Sequence, residues 1–519
     1  MDFIRERPHD ASPAAHREAA NLREIARDRP PAAGSEGREN YVSPACRRRA
    51  ILRGMSISFD AALMRRYDRE GPRYTSYPTV LSFETGIGEE DLARAARTSP
   101  GALEARPLSL YVHLPFCYSP CFYCGCNRVV THDLGRIERY VEHLGAEIER
   151  QGFYFGQART VEQLHFGGGT PTFLPRQRLI ELVDRLDQAF SLAQGAERDF
   201  SIEIDPRTAD PETLRLLAAL GFNRLSLGVQ DLDEAVQRAV NRVQSLETLM
   251  RTYEAARALG FRSINFDLIY GLPRQTLESF ARTLEQVIAL RPDRLAVYGY
   301  AHLPERFKAQ RQIEAEELPP AALRLALLGL ATERLTAAGY LYIGMDHFAL
   351  PEDPLARALE AGTLRRCFQG YTTHAESDLV ALGVSAIARI GDLYLQNEKR
   401  LPDYEAALER GELPIARGLW MSAEDRLRKH VIHALMCRGA IDTAAIERAY
   451  GIDFAQHFAP ELERLALLAA DGLVEVTPER IALTPAGQLL MRTVAMTFDA
   501  RQREAAQAAA APTRLSRVI

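Results

Sequence analysis

The chain has 519 residues, of which 46% are hydrophobic and 26% charged, so it is long enough for one large catalytic domain and one or two smaller units. The formal net charge of −5 gives no reason to expect a nucleic-acid or anionic-membrane partner. No uncharged apolar run approaches the ~18–20 residues that a membrane span needs. We therefore expect no nucleic-acid partner and no membrane span. We also expect the protein to be a monomer.

Residues 1–54 are predicted to form a disordered extension, because they are rich in Arg, Ala and Pro, lack Lys and show little apolar periodicity. The segment lacks the apolar core of a signal peptide and the composition of a transit peptide, which predicts a cytoplasmic protein with reduced thiols. An odd count of seven cysteines also argues against a disulfide framework. Met55 is more typical of the start of a folded protein, and residues 55–107 are expected to form an N-terminal arm.

A regular alternation of strand and helix patterns begins near residue 108. The β-rich stretches lie at 108–116, 161–169, 199–206, 224–230, 263–271 and 294–300. Amphipathic helical patterns separate them, at 176–190, 211–221, 245–260 and 276–290. Repeated strand–helix–strand units predict parallel strands with crossover helices, as found in doubly wound sheets and in barrels.

The positions of polar residues favour the barrel. Glu203, Gln230 and Asp267 lie at or near the C-terminal ends of otherwise apolar strands, and a Gly-rich turn follows LHF. Several strand ends that converge on one site are typical of a barrel, whereas a doubly wound sheet has its site at one switch point. We predict an α/β fold: an incomplete, six-stranded TIM-like β/α barrel over 108–400, with an irregular segment at 301–400.

The C-terminal region, 401–519, is predicted to be mostly helical. After Trp420, one run is typical of a helix, two short strands around a TPER turn and a further helix. This order suggests a winged-helix-like domain. Such domains sometimes bind DNA, but without a concentrated basic face a packing or lid role is favoured.

Four of the seven cysteines lie within ten positions, in the segment YVHLPFCYSPCFYCGCNRVV at 111–130. Their spacing is Cys117-x₃-Cys121-x₂-Cys124-x-Cys126. A structural zinc site usually uses two separated pairs of ligands, and no second pair follows. A redox pair formed by Cys121 and Cys124 would leave Cys117 unexplained.

An iron–sulfur cluster explains more of the segment. Three closely spaced thiolates can hold three corners of a cubane, which leaves one iron open for a substrate or cofactor. The interleaved aromatic residues Phe116, Tyr118, Phe122 and Tyr123 would shield such a cluster from water. Cys-x₃-Cys-x₂-Cys after a first barrel strand resembles the signature of the radical S-adenosylmethionine superfamily, in which the cofactor's amino and carboxylate groups chelate the open iron.

Further motifs narrow the resemblance. PRYTSYPT, YVHLPFC, CGCN, LHFGGGTPT, IEIDPR, NRLSLGVQD, VNRVQ, FDLIYGLP, YAHLP, GMDHFA, FQGYTTH, GVSAIARIGD and LSRVI occur in this order. Together they resemble the oxygen-independent coproporphyrinogen III oxidase family from about residue 56 to the C-terminus. The alternative is the haem chaperone branch of the same superfamily, which shares the three cysteines but binds haem. Cys126 favours the oxidase, because the chaperones typically have an aromatic residue at this position. The alternative interpretation of Cys126 is a small buried hydrophobe without a function of its own.

The resemblance implies a ligand set and cofactor contacts. Cys117, Cys121 and Cys124 would bind one 4Fe-4S cluster, and Cys126 would have a catalytic role that the sequence does not define. Two S-adenosylmethionine molecules are implied. Their contacts would be Tyr111, Tyr123, Gly168, Gly169, Thr170, Glu203, Gln230, Arg242, Asp267, Ala301 and Ile387. Tyr123 departs from the family's usual Phe, so its hydroxyl needs a polar partner if it is buried.

The implied reaction is the oxidative decarboxylation of the ring A and ring B propionates of coproporphyrinogen III to vinyl groups. An unactivated propionate C–H bond offers no acidic proton, so a carbon radical suits this reaction better than an acid–base pair. An electron donor and a terminal electron acceptor are required. The sequence identifies neither of them, nor the cations that would hold the substrate's carboxylates.

Overall fold

The structure, a computed structural model, describes residues 57–156, 158–374 and 377–508, with no side-chain detail for 506–508. The predicted disordered extension therefore lies outside the described residues. The strands, numbered in chain order, are β1 (Leu108–Leu114), β2 (Phe116–Cys117), β3 (Val129–Val130), β4 (Thr160–Gly168), β5 (Ser191–Leu192), β6 (Asp199–Ile204), β7 (Arg224–Gln230), β8 (Ser263–Tyr270), β9 (Arg294–Gly299), β10 (Leu341–Gly344), β11 (His347–Ala349), β12 (Arg365–Cys367), β13 (Gly370–Thr372), β14 (Asp378–Leu382), β15 (Ile387–Ile390), β16 (Leu393–Asn397), β17 (Ile415–Trp420), β18 (Ala440–Asp442), β19 (Val474–Val476) and β20 (Arg480–Leu483).

The helices lie between and after these strands. The α-helices span Ala61–Tyr67, Glu89–Thr98, Pro100–Leu103, Leu134–Phe155, Arg176–Ala189, Pro211–Ala219, Glu234–Ala239, Leu246–Ala258, Leu277–Leu290, Ala321–Ala337, Pro354–Ala361, Leu401–Glu409, Ala423–Arg438, Thr443–Tyr450, Phe454–His457, Ala459–Ala470, Pro485–Leu489, Met491–Met496 and Ala500–Ala508. Short 3₁₀ turns span Val80–Ser82, Pro171–Phe173, Lys308–Gln312 and Ala315–Glu317. Within these described ranges, no helix is both long and apolar enough to cross a membrane.

The central sheet confirms the predicted barrel. Strands β1, β4, β6, β7, β8 and β9 pair in parallel and in this order, so each new strand joins the same edge of the sheet. A doubly wound sheet would reverse direction at a switch point, and this order does not. The barrel is incomplete, because the outer neighbour of β1 is β14 and that of β9 is β11.

The prediction of an irregular segment at 301–400 was wrong. This segment contains seven strands, β10 to β16. β11 and β10 extend the sheet beyond β9, whereas β14, β15 and β16 extend it beyond β1 and lead to β17. β14 pairs with β1 across a large chain separation, and such non-local pairing leaves little local pattern in the sequence.

The inner face of the barrel is polar along its whole height, and not only at the strand ends. Arg224, Ser226, Gly228 and Gln230 of β7 are half-buried on one face, and the residues between them are buried against the helices. β6 and β8 show the same alternation. Because successive side chains of a strand point to opposite faces, these strands enclose a polar interior.

A second apolar core joins distant parts of the chain. Tyr74 and Tyr77, which lie in the PRYTSYPT motif, are fully buried with side chains from 343–371 and 427–498. The Tyr74 hydroxyl donates a hydrogen bond to Asp499 at 2.9 Å. In the C-terminal region β18, β20 and β19 form a small antiparallel sheet against three helices, which confirms the predicted winged-helix-like arrangement.

Candidate active site

The C-terminal ends of the barrel strands open into a cavity of ≈ 840 Å³. The lining includes the cysteine loop, the Gly-rich turn after β4 and the polar inner face of β6, β7 and β8. Most of the residues selected from the sequence lie there: Cys117, Cys121, Tyr123, Cys124, Cys126, Gly168, Gly169, Thr170, Glu203, Gln230, Arg242 and Asp267. The structure therefore brings residues from five separate strand ends to one cavity.

The cysteine loop runs from β2 to β3, and its thiols interact with one another. Burial and the neighbouring Cys124 and Cys121 thiols raise the pKa of Cys117 to about 11. A hydrogen bond from the Cys126 thiol, helped by Arg128, lowers the pKa of Cys124 to about 6. The thiolate form of Cys124, which is the form that binds metal, is therefore favoured at neutral pH.

Arg128 lines the cavity and holds the cysteine loop in place by hydrogen bonds to its backbone. Its Nη1 and Nη2 atoms donate to the carbonyl oxygens of Cys124 (3.3 Å) and Cys121 (3.2 Å). Among the described side chains, no three His, Cys, Asp or Glu residues converge as ligands of a single metal ion. In a cubane each thiolate binds a different iron, so such convergence is not required.

Cys126 is exposed at the cavity and is not the small buried hydrophobe considered above. The Cys126 backbone N–H donates a hydrogen bond to Cys124 Sγ at 3.4 Å, in addition to the hydrogen bond from the Cys126 thiol to the same sulfur. The Tyr123 hydroxyl has the polar partner that its burial requires, because it is hydrogen-bonded to the side chain of Cys121.

The first barrel strand supplies Tyr111 and His113 on the same face. The Tyr111 hydroxyl lies 2.9 Å from His113 Nδ1, and its ring stacks on His165 of β4 with centroids 5.8 Å apart. His113 Nε2 contacts the carbonyl oxygen of Asn127, just past the cysteine loop, at 2.9 Å. Tyr111 is therefore connected to the loop through His113, although it is not itself a lining residue of this cavity.

Packing explains the glycines of the turn after β4. A Cβ atom on Gly169 would lie 2.5 Å from the Phe116 carbonyl oxygen, and one on Gly168 would lie 2.7 Å from the His113 ring. Gly168 also has φ +118°, which disfavours other residues. The Gly169 and Thr170 N–H groups donate to the carbonyls of Leu114 and Phe116, each at 2.8 Å, so the turn is tied to the start of the cysteine loop.

Two carboxylates of the cavity have opposite pKa shifts. Burial opposes ionisation of Glu203, but hydrogen bonds from His165 and the Gly168 N–H outweigh it and lower the pKa of Glu203. Burial, with the charge of Glu203, raises the pKa of Asp267 to about 6 although Ser226 donates to it at 2.9 Å. Glu203 is therefore ionised at neutral pH, whereas Asp267 titrates in the physiological range.

Arg242 and Gln230 complete the site from the β7 side. Arg242 is 7% exposed, and its Nη1 donates to Asp205 (2.9 Å) and to Cys121 Sγ (3.5 Å), while its Nη2 donates to the Gly228 carbonyl (2.7 Å). Gln230 has φ +66° at a register shift between β7 and β8. A positive φ is costly for a non-Gly residue and is typical of functional sites.

The chain matches known proteins over nearly all of its described length. The sequence profile of the Radical SAM superfamily matches residues 111–287, and that of the HemN C-terminal domain matches 421–490. The oxygen-independent coproporphyrinogen III oxidase of Pseudomonas aeruginosa is 54% identical over 447 residues, which cover 86% of this chain and 96% of that protein. The chain belongs to the oxygen-independent coproporphyrinogen III oxidase family. Membership of the Radical SAM superfamily implies a 4Fe-4S cluster and S-adenosylmethionine.

Other members of the oxidase family agree with this assignment. The Escherichia coli protein of the same name is 46% identical and covers 87% of this chain and 97% of its own length. The solved structure of coproporphyrinogen III oxidase from Escherichia coli, described as a Radical SAM enzyme, aligns with a TM-score of 0.82 at 45% identity. It covers 86% of this chain and 100% of that chain. This similarity also confirms the α/β fold predicted from the sequence.

Two more residues selected by resemblance to the oxidase family, Ala301 and Ile387, are not among the lining residues of this cavity. The Ala301 carbonyl accepts a hydrogen bond from Gln310 Nε2 (3.1 Å), and the same atom donates to the Tyr123 carbonyl (3.0 Å), so Ala301 is tied to the cysteine loop. Ile387 is half-buried at the start of β15, against Phe83 and Tyr394. Their predicted cofactor contacts remain predictions.

Sequence reasoning missed several residues that shape this site in an oxidase of the family. His113 and Arg128 contact the backbone of the cysteine loop and of Asn127 just past it, and His165 lies between the Tyr111 ring and Glu203. Asp205 pairs with the buried Arg242. Asp205 could have been found, because it follows β6 directly and so meets the strand-end criterion that selected Glu203. His113 on β1 and His165 on β4 carried a weaker signal, because each is a single imidazole within a largely apolar part of its strand.

Proposed function

We propose that this chain decarboxylates the ring A and ring B propionates of coproporphyrinogen III to vinyl groups without oxygen, giving protoporphyrinogen IX. The observation that carries the proposal is the meeting of three spaced cysteines with polar strand ends in one barrel cavity, in a chain 54% identical to an oxidase of that name. The haem chaperone alternative is not favoured.

The cysteine loop provides a donor set that fits the implied cluster. Cys117, Cys121 and Cys124 would bind three irons. The low pKa of Cys124 favours its thiolate form, and Arg242 donates a hydrogen bond to Cys121 Sγ. When bound, the cluster supplies the electron that cleaves a carbon–sulfur bond of S-adenosylmethionine and yields a 5′-deoxyadenosyl radical. Cys126 hydrogen-bonds a ligand instead of completing the set, so we propose a positioning or proton-handling role for it.

The chain's own groups bind and orient the cofactor. Ionised Glu203 can accept hydrogen bonds from hydroxyl or ammonium donors, and the carbonyls of the turn at Gly168, Gly169 and Thr170 can accept from an ammonium. Gln230, Arg242 and Asp267 would contact a second cofactor molecule, and Ala301 and Ile387 would provide apolar or backbone contacts to the cofactors. Tyr111 and Tyr123 would flank the cluster-bound one.

The reaction would consume two cofactor molecules for each substrate molecule, whether they bind together or in turn. Each propionate loses one hydrogen atom from the carbon next to the macrocycle, and then carbon dioxide and one electron, which leaves a vinyl group. Two propionates therefore require two hydrogen abstractions and an acceptor for two electrons. The aromatic side chains around the loop keep water away from the radical.

The proposal is tested by anaerobic turnover. The purified chain is reconstituted with iron and sulfide and mixed with dithionite, S-adenosylmethionine and coproporphyrinogen III. We expect protoporphyrin, after oxidation, together with 5′-deoxyadenosine. Stoichiometric haem binding without decarboxylation would favour the haem chaperone and contradict the oxidase.

We further propose the organisation predicted from the sequence: an N-terminal arm at 55–107, a barrel with a substrate segment at 108–400 and a C-terminal domain at 401–519. A monomer in the cytoplasm is part of the same proposal. The cytoplasm suits this chain, because a cluster bound by three cysteine thiolates and the remaining unpaired cysteines both require a reducing compartment.

A further inference from the structure

A group of basic side chains lies outside the cavity lining, between the β12–β13 hairpin and the first long helix of the C-terminal region, Ala423–Arg438, which is called the C-terminal helix below. Its members are Arg365, Arg366, Arg389, Lys429 and His433, and we call it the cationic crevice. Arg366 is 5% exposed, whereas the side chains of the other four remain partly accessible. These side chains come from β12, β15 and one face of the helix, so the fold assembles them from three elements.

The positive charge of the cationic crevice is not balanced by the protein. In the described ranges, Arg365, Arg366, Arg389 and Lys429 form no ion pair with a carboxylate. The nearby carboxylate, Asp392, is paired with Arg426 at 2.9 Å. Grouping unpaired cations costs free energy, because each loses hydration and repels the others.

The pKa values of two groups in the cationic crevice reflect this cost. Burial, and then the charge of Arg389, lower the pKa of Lys429 well below its usual value. Burial and the charges of Lys429, Arg366, Arg389 and Arg365 lower the pKa of His433 well below its usual value, so its imidazole is neutral at pH 7 and adds a polar group, not a charge. His433 Nε2 and Arg366 Nη1 are buried without a hydrogen-bond partner. A bound anion would relieve the repulsion and satisfy these donors.

The floor of the cationic crevice is apolar and aromatic. Lys429 Nζ lies 5.1 Å from the centre of the Tyr394 ring and 3.9 Å from Met421 Sδ, and Phe368 packs edge-on against Tyr394 at 5.9 Å. An apolar floor offers no stabilising contact to a small inorganic anion. An organic anion with an apolar body fits both the floor and the cations.

The cationic crevice adjoins the active site through two elements. Gln369 and Tyr371 of the β12–β13 hairpin line the cavity, whereas Arg366 precedes them on the same hairpin. On β15, Arg389 is two residues from Ile387, so both side chains point to the same face of the strand. Ile387 is also one of the residues proposed to contact a cofactor.

We propose that the cationic crevice binds carboxylates of the tetracarboxylate substrate, namely propionates that the reaction leaves intact. This inference rests on the proposed function, which supplies the substrate. The two propionates that stay in the product would hold the macrocycle while the other two face the radical. The C-terminal helix would thus take part in substrate binding.

Substitution tests this assignment. In Lys429→Met and Arg389→Met, binding of coproporphyrin III, followed by fluorescence, is expected to weaken at least about tenfold, with KM raised more than kcat is lowered. Lys429→Arg should keep the affinity, and Arg139→Met, which removes a charge from the outer surface of helix Leu134–Phe155, should not change it. The uncharged tetramethyl ester should bind the chain and both Met variants alike.

A measurement on the unmodified chain covers variants that fail to fold. The sequence contains only three lysines, Lys308, Lys399 and Lys429, so amine labelling read by peptide mass spectrometry follows each of them separately. Coproporphyrin III should slow labelling of Lys429 and leave Lys308 and Lys399 unchanged, and the tetramethyl ester should protect none. Equal protection by inorganic phosphate would indicate a general anion site and overturn the proposal.

The two proposals fail in different ways. If the oxidase function is wrong, the unmodified chain gives no protoporphyrin. If the cationic crevice is wrong, that chain turns over normally, Lys429 labels at the same rate with and without coproporphyrin III, and the Met variants bind it with unchanged affinity.

Discussion

Gly169→Ala tests how tightly the Gly-rich turn controls the cysteine loop. The added Cβ would lie 2.5 Å from the Phe116 carbonyl oxygen and 2.7 Å from the Pro115 carbonyl carbon. These are backbone atoms that cannot rotate away, so the turn and the loop entry must separate. The separation also strains the hydrogen bonds from Gly169 N to Leu114 O and from Thr170 N to Phe116 O.

The cost can be estimated from these contacts. Overpacking costs ~1–3 kcal/mol, and each weakened backbone hydrogen bond adds up to ~1 kcal/mol, so we expect about 2–4 kcal/mol. Because Cys117 follows Phe116 directly, most of this cost falls on the cysteine loop as local opening. We expect iron and sulfide content after anaerobic reconstitution to fall severalfold, while the circular dichroism of the barrel is retained.

The matched control is Gly195→Ala. No atom lies within 4 Å of a Cβ at Gly195, and its φ is not positive, so the stability change should stay below about 1 kcal/mol. Full iron content and unchanged thermal stability in Gly169→Ala would refute the reasoning that the turn positions the loop.

Three further predictions concern the site itself. Cys117→Ser, Cys121→Ser and Cys124→Ser should each prevent cluster assembly; a 4Fe-4S absorbance spectrum in any of them would disprove the ligand set. Arg242→Gln should make the cluster's midpoint potential more negative, because a cation beside the Cys121 sulfur is lost; an EPR redox titration with no shift would limit Arg242 to cofactor binding. Affinity for S-adenosylmethionine should fall as the pH drops through about 6, where Asp267 becomes protonated and accepts fewer hydrogen bonds; Asp267→Asn should abolish this step, and an equal pH dependence in that variant would exclude Asp267 as its source.

Local patterns in the sequence predicted the six barrel strands and their order, because each strand–helix unit carries its own periodicity. The strands from β14 to β17 depend on pairing with β1 and with one another, which only the assembled fold defines. The irregular appearance of 301–400 therefore reflects non-local pairing and not an absence of structure.

Site residues could be predicted where a reactive or polar side chain also occupied a recognisable position, such as a spaced cysteine motif or a strand end. Cysteine spacing selected the loop, and strand-end polarity selected Glu203 and Asp267. His113 could not be identified in this way, because its task is to join Tyr111 to the Asn127 carbonyl, and that contact depends on how the loop folds back. The cationic crevice was likewise hidden, because its members lie far apart in the chain.

The Tyr371 side chain lines the barrel cavity, yet its hydroxyl donates to the Met436 carbonyl of the C-terminal helix at 2.8 Å. One wall of the reaction chamber is thus fastened to a segment more than sixty positions downstream. Chimaeras that exchange the C-terminal part between members of this family will therefore also reshape the chamber. A C-terminal part taken from another member will fit only if its helix places a carbonyl oxygen within hydrogen-bond distance of the Tyr371 hydroxyl.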